Sequence, residues 1–164
     1  MNMFTQNLYE RARVKGWFHR FLARLAGREA HLLSLEVVRS AYVSRNSSYA
    51  GAKPIPIARI RGSENRTQDF DADFHPLSNH VKTRWMKIAA VWQFNVTLPP
   101  VELIQVGEDY FVMDGHHRIS VAREMGQKYI DATVTTWRVD DDSVIQTAVT
   151  DPPGSRKEKN HGER

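Results

Sequence analysis

The chain has 164 residues, which is enough for one domain with a substantial core plus extensions, but not for two such domains. Hydrophobic residues make up 41% and charged residues 26%, which are ordinary values for a globular protein, and the net charge of +4 is only mildly basic. The absence of cysteine excludes disulfides, thiolate nucleophiles and cysteine-ligated zinc, and it favours a reducing, cytoplasmic location. Charges interrupt every apolar run in the first 30 residues, so we expect neither a signal peptide nor a transmembrane segment.

Residues 1–45 are predicted to form a basic helical segment. In its first helix, apolar residues recur at three- and four-residue spacing and make one apolar face: Val14, Trp17, Phe18, Phe21, Leu22 and Leu25. The rest of this helix is basic, with no acidic residue between positions 11 and 28. Either the apolar face packs on the domain, or the helix contacts a membrane surface, a nucleic acid or a protein partner. A break near Gly27 precedes a second, ordinarily packed helix over residues 32–43.

The core domain is predicted to span residues 54–137. Residues 45–53 have the composition of a loop, and residues 54–60 form a short strand whose prolines indicate an edge position. The polar stretch 62–76 contains Phe70 and Phe74, so we expect an ordered loop rather than a floppy one. Three acidic residues of that loop are candidates for magnesium, but a solvated acidic turn is the favoured interpretation. They are Asp69, Asp71 and Asp73.

The second half of the domain has a compact pattern of helices and strands. Residues 78–94 form an amphipathic helix, whose two tryptophans, Trp85 and Trp92, are predicted to be core residues rather than base-stacking platforms. A hairpin of strands 101–106 and 109–113, a helix ending before Gly126, and a strand over residues 129–136 follow. Residues 138–164 begin with an acidic run at 140–142 and finish in the segment 151–164, which lacks apolar side chains, so we expect an acidic and then disordered tail.

The most informative motif lies between the second hairpin strand and the helix. Residues 113–120 read Met-Asp-Gly-His-His-Arg-Ile-Ser. Such a junction presents backbone N–H groups and the positive end of a helix dipole, which suits a phosphate. Asp114 is the expected N-cap, Gly115 allows a tight turn, and Arg118 offers a planar fork to phosphate oxygens.

The two histidines of the motif, His116 and His117, are expected to donate hydrogen bonds or move protons near neutral pH. Adjacent helical residues point about 100° apart, so only one faces a given ligand, and we choose His117. A capped helix with surface histidines is the main other interpretation. A metal site is a third one, but the potential ligands lack a spacing such as His-Glu-x-x-His, so we predict no protein-only metal site. They are Asp114, His116, His117, His75 and His80.

Several stretches in chain order resemble the ParB/sulfiredoxin superfamily over about residues 54–136. They are Ile-Pro-Ile-Ala-Arg-Ile at 55–60, Gly-Ser-Glu-Asn-Arg at 62–66, Leu-Pro-Pro-Val-Glu-Leu-Ile at 98–104, the run 110–122 around the motif, Gly126, and Ile-Asp-Ala-Thr-Val at 130–134. The resemblance implies an α/β (α+β) fold: a small mixed sheet with packed helices, preceded here by the helical segment. It also implies binding of nucleotide phosphates at the start of the helix.

Individual members of the superfamily differ at this turn. In sulfiredoxins it reads Gly-Cys-His-Arg; His116 stands where the catalytic cysteine would be, so sulfinic-acid repair is excluded. In ParB proteins it reads Gly-Glu-Arg-Arg and binds CTP with help from an earlier segment, to which residues 64–66 are similar. The helix-turn-helix that follows in those proteins is absent here, so sequence-specific DNA binding and chromosome partition are not expected. The Asp-Gly-His-His-Arg form is closer to stand-alone members of the superfamily, some of which are kinases that phosphorylate free serine. The resemblance to those kinases implies that Glu64 is the base that accepts the hydroxyl proton.

We therefore predict a bacterial-type domain that binds a nucleotide (ATP, ADP or CTP, with Mg²⁺) or a phosphorylated small molecule. The predicted phosphate ligands are Asp114, Gly115, His116, His117, Arg118 and, across the cleft, Arg66. With Glu64 and His117 as catalytic residues, the reaction would be phosphoryl transfer, as in a small-molecule kinase, or phosphate-ester hydrolysis. The alternative is a non-enzymatic module that binds nucleic acid or a partner and senses nucleotide.

Overall fold

Six strands form one mixed sheet in the computed structural model, which describes residues 3–27, 30–41, 47–94 and 96–137. The strands are β1 (Leu33–Ser34), β2 (Ser47–Pro56), β3 (Ile60–Ser63), β4 (Val101–Val106), β5 (Asp109–Asp114) and β6 (Tyr129–Trp137). Their order across the sheet is β1-β3-β5-β4-β6-β2. The pairs β1–β3, β3–β5 and β4–β6 are parallel, and β4–β5 and β2–β6 are antiparallel. The mixed α/β fold predicted from the sequence is confirmed.

Four helices cover the two faces of this sheet. They are α1 (Met3–Leu25), α2 (Leu35–Ala41), α3 (Lys82–Gln93) and α4 (His116–Glu124). The main core lies between the sheet and α1, α3 and α4, and a smaller apolar cluster that includes Leu35 and Val38 of α2 lies on the other face. In β4, Leu103 belongs to the first cluster and Ile104 to the second, because successive side chains of a strand point to opposite faces.

The hairpin and the helix that follows it agree with the sequence prediction. β4 and β5 are joined at Gly107, which has a φ of 58°, and α4 ends just before Gly126, which has a φ of 78°. Trp85 is a fully buried core residue, as predicted, and its Nε1–H donates to Ser120 Oγ at 2.7 Å. This bond joins α3 to α4, and it therefore helps to fix the helix that begins at the motif.

The prediction of a loop over residues 45–53 is wrong, because residues Ser47–Pro56 form one strand, β2. It is an edge strand, as its prolines indicated, and a register shift between Tyr49 and Gly51 interrupts its pairing with β6. Almost all of its side chains are exposed. As far as Pro54, backbone hydrogen bonds to β6 hold this strand rather than burial of side chains, so no hydrophobic alternation marks that part in the sequence. Ile55, near the end of the strand, is buried in the main core.

The second predicted helix, over residues 32–43, begins later than expected. Residues Leu33–Ser34 form the short strand β1 beside β3, and α2 then covers Leu35–Ala41. The end of the predicted helix, residues 42–43, lies outside the described residues. A short apolar run is compatible with a strand or a helix, and here the free edge of β3 decides for a strand.

Helix α1 packs on the domain with a different face from the apolar one that the sequence indicated. Trp17 is 67% exposed, and the other residues of that apolar face are exposed as well, whereas Tyr9 is fully buried. The helix meets the domain with Leu8, Tyr9, Ala12 and Gly16. The packing interpretation of the apolar face is therefore wrong, because small residues at Ala12 and Gly16 allow a closer approach than the bulky face would.

Part of the basic side of α1 also contacts the domain instead of being fully solvated. Lys15 Nζ donates to both carboxylate oxygens of Glu124, at 3.0 and 2.9 Å, and Arg13 donates to Asn79 Oδ1 at 2.8 Å. Among the described residues, no helix has the length and apolar composition that crossing a membrane requires. The predicted tail, residues 138–164, lies outside the described residues.

Candidate functional site

The turn between β5 and α4 is built around Gly115, whose φ of 106° lies in the left-handed region. A Cβ atom at this position would lie 2.4 Å from Val101 Cγ1. Gly115, and not Asp114 as predicted, is the N-cap residue of α4. Asp114 remains in β5, and its carboxylate accepts a hydrogen bond from Arg118 Nη2 at 2.5 Å. Its side chain therefore pairs with the arginine side chain and does not cap the backbone N–H groups at the start of α4.

The N-terminus of α4 has no side-chain cap. The first turn closes with the bond from Ile119 N–H to Gly115 O, at 3.0 Å. The N–H groups of the first turn of a helix have no acceptor one turn earlier, and they carry the positive end of the helix dipole. The turn is therefore chemically suited to an anion.

The guanidinium group of Arg118 is bonded to oxygen atoms of the protein itself. Its Nη1 donates to the carbonyl oxygens of Pro99 and Pro100, at 2.5 and 2.7 Å, and its Nη2 donates to Asp114. These bonds fasten the segment before β4 to the turn. The structure thus brings Arg118 to the predicted place, but with its fork directed at protein oxygens.

His116 is buried and is held by Ser63 at the end of β3. The Oγ of Ser63 accepts the backbone N–H groups of Asn65 and Arg66, at 3.2 and 2.9 Å. Its own proton then donates to His116 Nε2, which lies 2.7 Å away. This arrangement keeps the proton of a neutral His116 ring on Nδ1. His116 is therefore a structural link between β3 and α4.

His117 is also buried, with only 7% of the residue exposed, but its bonding is incomplete. Its Nε2 has no hydrogen-bond partner among the described residues. The ring packs edge-on against Phe70, with ring centroids 5.5 Å apart, and Phe70 also stacks on His116 at 6.1 Å. A buried imidazole nitrogen without a partner is costly, so it marks a position where a ligand could supply the missing bond.

Burial lowers the pKa of both histidines to about 4. For His116, Arg66 and His117 lower the pKa further; for His117, Arg84 and Arg66 do so. Both rings are consequently neutral at pH 7. The expectation that they titrate near neutral pH is wrong, because they are buried and face arginines.

Two arginines from different elements border the cavity at this turn. Arg66 comes from the loop after β3 and donates to Asp69 at 3.0 Å, whereas the exposed Arg84 comes from α3. The cavity, which His117 and Arg118 also line, has a volume of about 20 Å³. This is room for about one water molecule. A larger cavity of about 340 Å³ lies on the other side of Arg118, between Trp92 and Tyr129.

Glu64 is exposed and follows directly after β3. Its backbone N–H donates to Val112 O at 3.0 Å, which extends the parallel pairing of β3 and β5. Glu64 and the turn thus follow the carboxyl ends of two adjacent parallel strands, where α/β folds commonly bind ligands. The Glu64 side chain does not line the 20 Å³ cavity.

The acidic loop is not the solvated turn that the sequence favoured. Asp71 is fully buried, and its Oδ1 accepts the backbone N–H groups of Asp73 and His75, at 2.9 and 2.8 Å. Among the described residues, His19, Asp73 and His75 are the one group whose spacing suits a metal ion. Of the ligands considered from the sequence, His75 and the magnesium candidate Asp73 belong to it, and the others do not.

Three residues of the site had no assigned role in the sequence analysis: Ser63, Phe70 and Arg84. Phe70 carried a usable signal, because an aromatic residue in a polar loop indicates local packing. Ser63 and Arg84 carried none, because their proximity to the motif depends on the pairing of β3 with β5 and on the packing of α3 against α4.

Comparisons with known proteins concern the fold alone. No family model matches the chain, and no curated protein sequence is significantly similar to it. The chain is similar to the crystal structure of sulfiredoxin from Arabidopsis thaliana, with 17% identity over 60% of this chain and 96% of that one, at a TM-score of 0.37. It is also similar to the C-terminally truncated chromosome-partitioning protein ParB from Caulobacter crescentus, which was solved with CTP-γ-S. That match has 15% identity over 68% of this chain and 57% of the ParB chain, at a TM-score of 0.38. The similar solved structures thus include both groups named from the sequence.

Proposed function

We propose that this protein binds the phosphate groups of a nucleotide, or of another phosphorylated ligand, at the start of α4. One observation carries the proposal. The buried Nε2 of His117 lacks a partner at an uncapped helix N-terminus that Arg66 and Arg84 border. A phosphate supplies acceptor oxygens and negative charge, which are what these groups lack.

Each group has a distinct part in holding the phosphate. The backbone N–H groups at the start of α4 donate to its oxygens, and Arg66 and Arg84 supply positive charge. His117 is neutral, so it supplies a hydrogen bond through Nε2–H but no charge. Because the cavity holds about one water molecule, the phosphate binds at its mouth, where the exposed side chain of Arg84 moves outward and stays in contact with it.

The rest of the ligand would lie in the larger cavity beyond Arg118. Its volume of about 340 Å³ suits a small organic group, and Trp92 and Tyr129 offer aromatic surface to a base. ATP, ADP and CTP are the candidate nucleotides. Mg²⁺ would be held mainly by the nucleotide phosphates, because this ion needs only one or two protein carboxylates.

Calorimetric titration with ATP, ADP, CTP and GTP, with and without Mg²⁺, tests the proposal. We expect saturable binding that weakens at least about tenfold in Arg84→Ala, since bonds to charged groups contribute about 1.5–3 kcal/mol. The matched control is Lys87→Ala, which removes a positive charge from the same helix at an exposed position that does not line the cavity. Failure of every nucleotide to bind, or equal weakening by both variants, would overturn the proposal.

Phosphoryl transfer or phosphate-ester hydrolysis at this site is a further step of the same proposal, with Glu64 as base and His117 as hydrogen-bond donor. Glu64 supports it by following the strand adjacent to β5. Conversion of a bound nucleoside triphosphate to the diphosphate is measured in water alone, for hydrolysis, and with free serine as hydroxyl acceptor, for phosphoryl transfer. It should be lost in Glu64→Gln while binding is retained. Binding without turnover in either assay identifies a nucleotide-sensing module instead.

A second candidate function rests on the exposed face of α1. Its apolar residues point away from the domain, and the exposed Arg20 and Arg24 flank them. An apolar stripe bordered by positive charge is typical of a helix that lies on an anionic membrane surface, because the apolar side chains enter the bilayer boundary beside the charged headgroups. We propose that surface, in preference to a nucleic acid, as the partner of α1.

Co-sedimentation with vesicles that contain phosphatidylserine tests this docking. The double variant Trp17→Ser/Phe21→Ser should bind at least about tenfold more weakly. Phe94→Ser is the control, because Phe94 is an equally exposed aromatic residue at the end of α3. Salt-sensitive binding to DNA or RNA without vesicle binding would reassign the surface to nucleic acid, and no binding to either would remove this function.

A further inference from the structure

A second cluster of polar side chains lies where α1 crosses the loop after β3. Nε2 of His19 is 3.0 Å from Asp73 Oδ2. His75 joins them, and the ligand atoms of the three residues all lie within 4.8 Å of one another. Ligands bound about 2.1 Å from a zinc ion at tetrahedral angles are about 3.4 Å apart, so small movements of these side chains would enclose an ion.

Asp71 lies behind this cluster and orients the histidines. It is fully buried, and its Oδ2 lies 2.9 Å from Nδ1 of His75. Donation of Nδ1–H to this carboxylate leaves Nε2 of His75 with a free lone pair. Metal-binding histidines usually have this arrangement, in which a carboxylate holds one ring nitrogen and the metal takes the other.

His19 also has its Nδ1 atom directed at the Asp71 carboxylate, but at a longer distance and without an aligned hydrogen bond. Its Nδ1 is 3.3 Å from Asp71 Oδ2 and is buried, but it makes no aligned hydrogen bond to any described residue. One buried carboxylate therefore faces the Nδ1 atoms of both histidines. The opposite ring nitrogen of His19, Nε2, is the atom that meets Asp73.

Two unusual backbone features bring these residues together. Phe74, between Asp73 and His75, is buried with a φ of 61°, which side-chain-bearing residues rarely adopt. Gly16 lies one helical turn before His19, and a Cβ there would be 2.7 Å from His75 Cβ. Glycine inside a helix and a left-handed phenylalanine are both unfavourable. The glycine allows the close contact between α1 and this loop, and the left-handed turn lies between two of the clustered residues.

The neighbouring charges leave room for a cation. Asp71 and Asp73 supply two negative charges. Arg123 donates to Oδ1 of Asp73, at 2.7 Å, whereas Oδ2 faces His19 Nε2, so an ion between these two atoms would bind both. Asp73 and His75 also line a cavity of about 140 Å³, which gives access and space for a water ligand. The donor set of two imidazoles and one carboxylate is typical of zinc and its neighbours, and not of magnesium or calcium.

We propose that His19, Asp73 and His75 bind a divalent transition-metal ion of the zinc type, with Asp71 orienting the histidines. The ion would fasten α1 to the loop that also carries Phe70, the residue packed against both histidines of the nucleotide site. Metal binding is nevertheless independent of the proposed function, because no ligand atom is shared.

The test is titration of the chelator-treated full chain with Zn²⁺ alone, followed by calorimetry and thermal unfolding, without nucleotide. We expect one ion per chain, a raised unfolding temperature, and affinity at least tenfold lower in His19→Ala. The control is His80→Ala, because His80 is an exposed histidine that contacts Ser78 and Asp69 outside the cluster. Co²⁺ substitution should give the visible absorption of a tetrahedral site.

His19 is partly exposed, so its replacement should leave the fold intact, and circular dichroism checks this. Asp73→Asn, which keeps the side-chain shape and removes the charge, should also lower the affinity at least tenfold. The proposal is overturned if Zn²⁺ neither binds saturably nor raises the unfolding temperature, or if His19→Ala and His80→Ala bind it equally. In that case the cluster is a network of histidine–carboxylate hydrogen bonds.

Discussion

Ser63 Oγ and His116 Nε2 are joined by a buried hydrogen bond of 2.7 Å, which connects the end of β3 to the first residue of α4. The same oxygen accepts the N–H groups of Asn65 and Arg66. One hydroxyl therefore shapes the loop after β3 and anchors the helix whose N-terminus faces the proposed ligand. Arg66 reaches the cavity because this loop turns back at Ser63.

Replacement of Ser63 by alanine should destabilise the protein by about 1–3 kcal/mol. The change leaves a buried imidazole nitrogen without its donor and two backbone N–H groups without their acceptor. Urea unfolding measures the effect. Ser40→Ala is the control, because exposed Ser40 donates to Val37 O within its own helix, α2, and it should shift stability by less than about 0.5 kcal/mol. Equal effects of the two changes would contradict the anchoring role of Ser63.

The stability of the fold should rise with pH between about 4 and 6.5. His116 and His117 have pKa values lowered to about 4, from an ordinary value of 6.5 that applies to the unfolded chain. In this window the unfolded state binds more protons than the folded state, so acidification favours unfolding. The slope per histidine approaches about 1.4 kcal/mol for each pH unit.

Urea unfolding at a series of pH values measures this dependence. His117→Gln should reduce the slope in the window, whereas His80→Gln, at an exposed position, should reduce it less. A stability curve that is flat from pH 4 to 6.5 in the unaltered protein would show that the two buried rings are not held neutral.

Gly115→Ala should destabilise the protein by at least about 1–2 kcal/mol, the cost of a left-handed backbone for an alanine. The contact with Val101 adds to this cost, because the new Cβ would lie 2.4 Å from Cγ1. Val101→Ala removes that methyl group but keeps Val101 Cβ, which would lie 2.7 Å from the new Cβ, so the double variant relieves part of the clash. The combined loss should therefore be somewhat smaller than the sum of the single losses. Thermal unfolding of the four proteins checks this coupling.

Arg118→Ala should affect both stability and ligand binding, whereas Arg84→Ala should affect ligand binding alone. Arg118 holds Pro99, Pro100 and Asp114, so its loss should lower stability by about 1–3 kcal/mol as well as weaken nucleotide binding. Arg84 is exposed, so its loss should weaken binding with a change in stability below about 0.5 kcal/mol. Unfolding curves and calorimetry on both variants separate the two roles. Unchanged stability in Arg118→Ala would assign it to the ligand instead.

Local signals made the second half of the fold predictable. Gly107 and Gly126 mark turns that the backbone requires, and β-branched residues mark β6, so the order of β4, β5, α4 and β6 was predicted correctly. The signals failed where pairing with a distant strand decides. Residues 47–54 of β2 are held by backbone bonds to β6 and are exposed apart from the partly buried Gly51, so their side chains do not indicate the pairing.

The candidate site likewise contains residues that local sequence predicts and residues that only tertiary packing brings together. The predicted residues Asp114 to Arg118 are contiguous, and a strand–glycine–helix junction brings them together by local geometry. Ser63 and Arg84 join them only through the packing of the sheet and helices, so no spacing in the sequence reveals them. His19 lies in a different element from Asp73 and His75, which is why the prediction of no metal site did not consider it.

The orientation of α1 gives a direct test of which helix face holds the domain. Tyr9 is fully buried, packs edge-on against Trp85 at 5.4 Å and donates to Ser78 O at 3.1 Å. Trp17 is 67% exposed and stacks on Phe21 of the same helix, at 5.8 Å. Tyr9→Ala should therefore destabilise the protein by about 3–5 kcal/mol.

Trp17→Ala, by contrast, should change the free energy of unfolding by less than about 0.5 kcal/mol, although tryptophan is the larger side chain. Urea unfolding followed by far-ultraviolet circular dichroism measures both variants without relying on tryptophan fluorescence. Similar large losses in the two variants would mean that the apolar face of α1 packs against this domain or a second chain. A small loss in Tyr9→Ala would mean that α1 is dispensable for folding, and that the core closes without it.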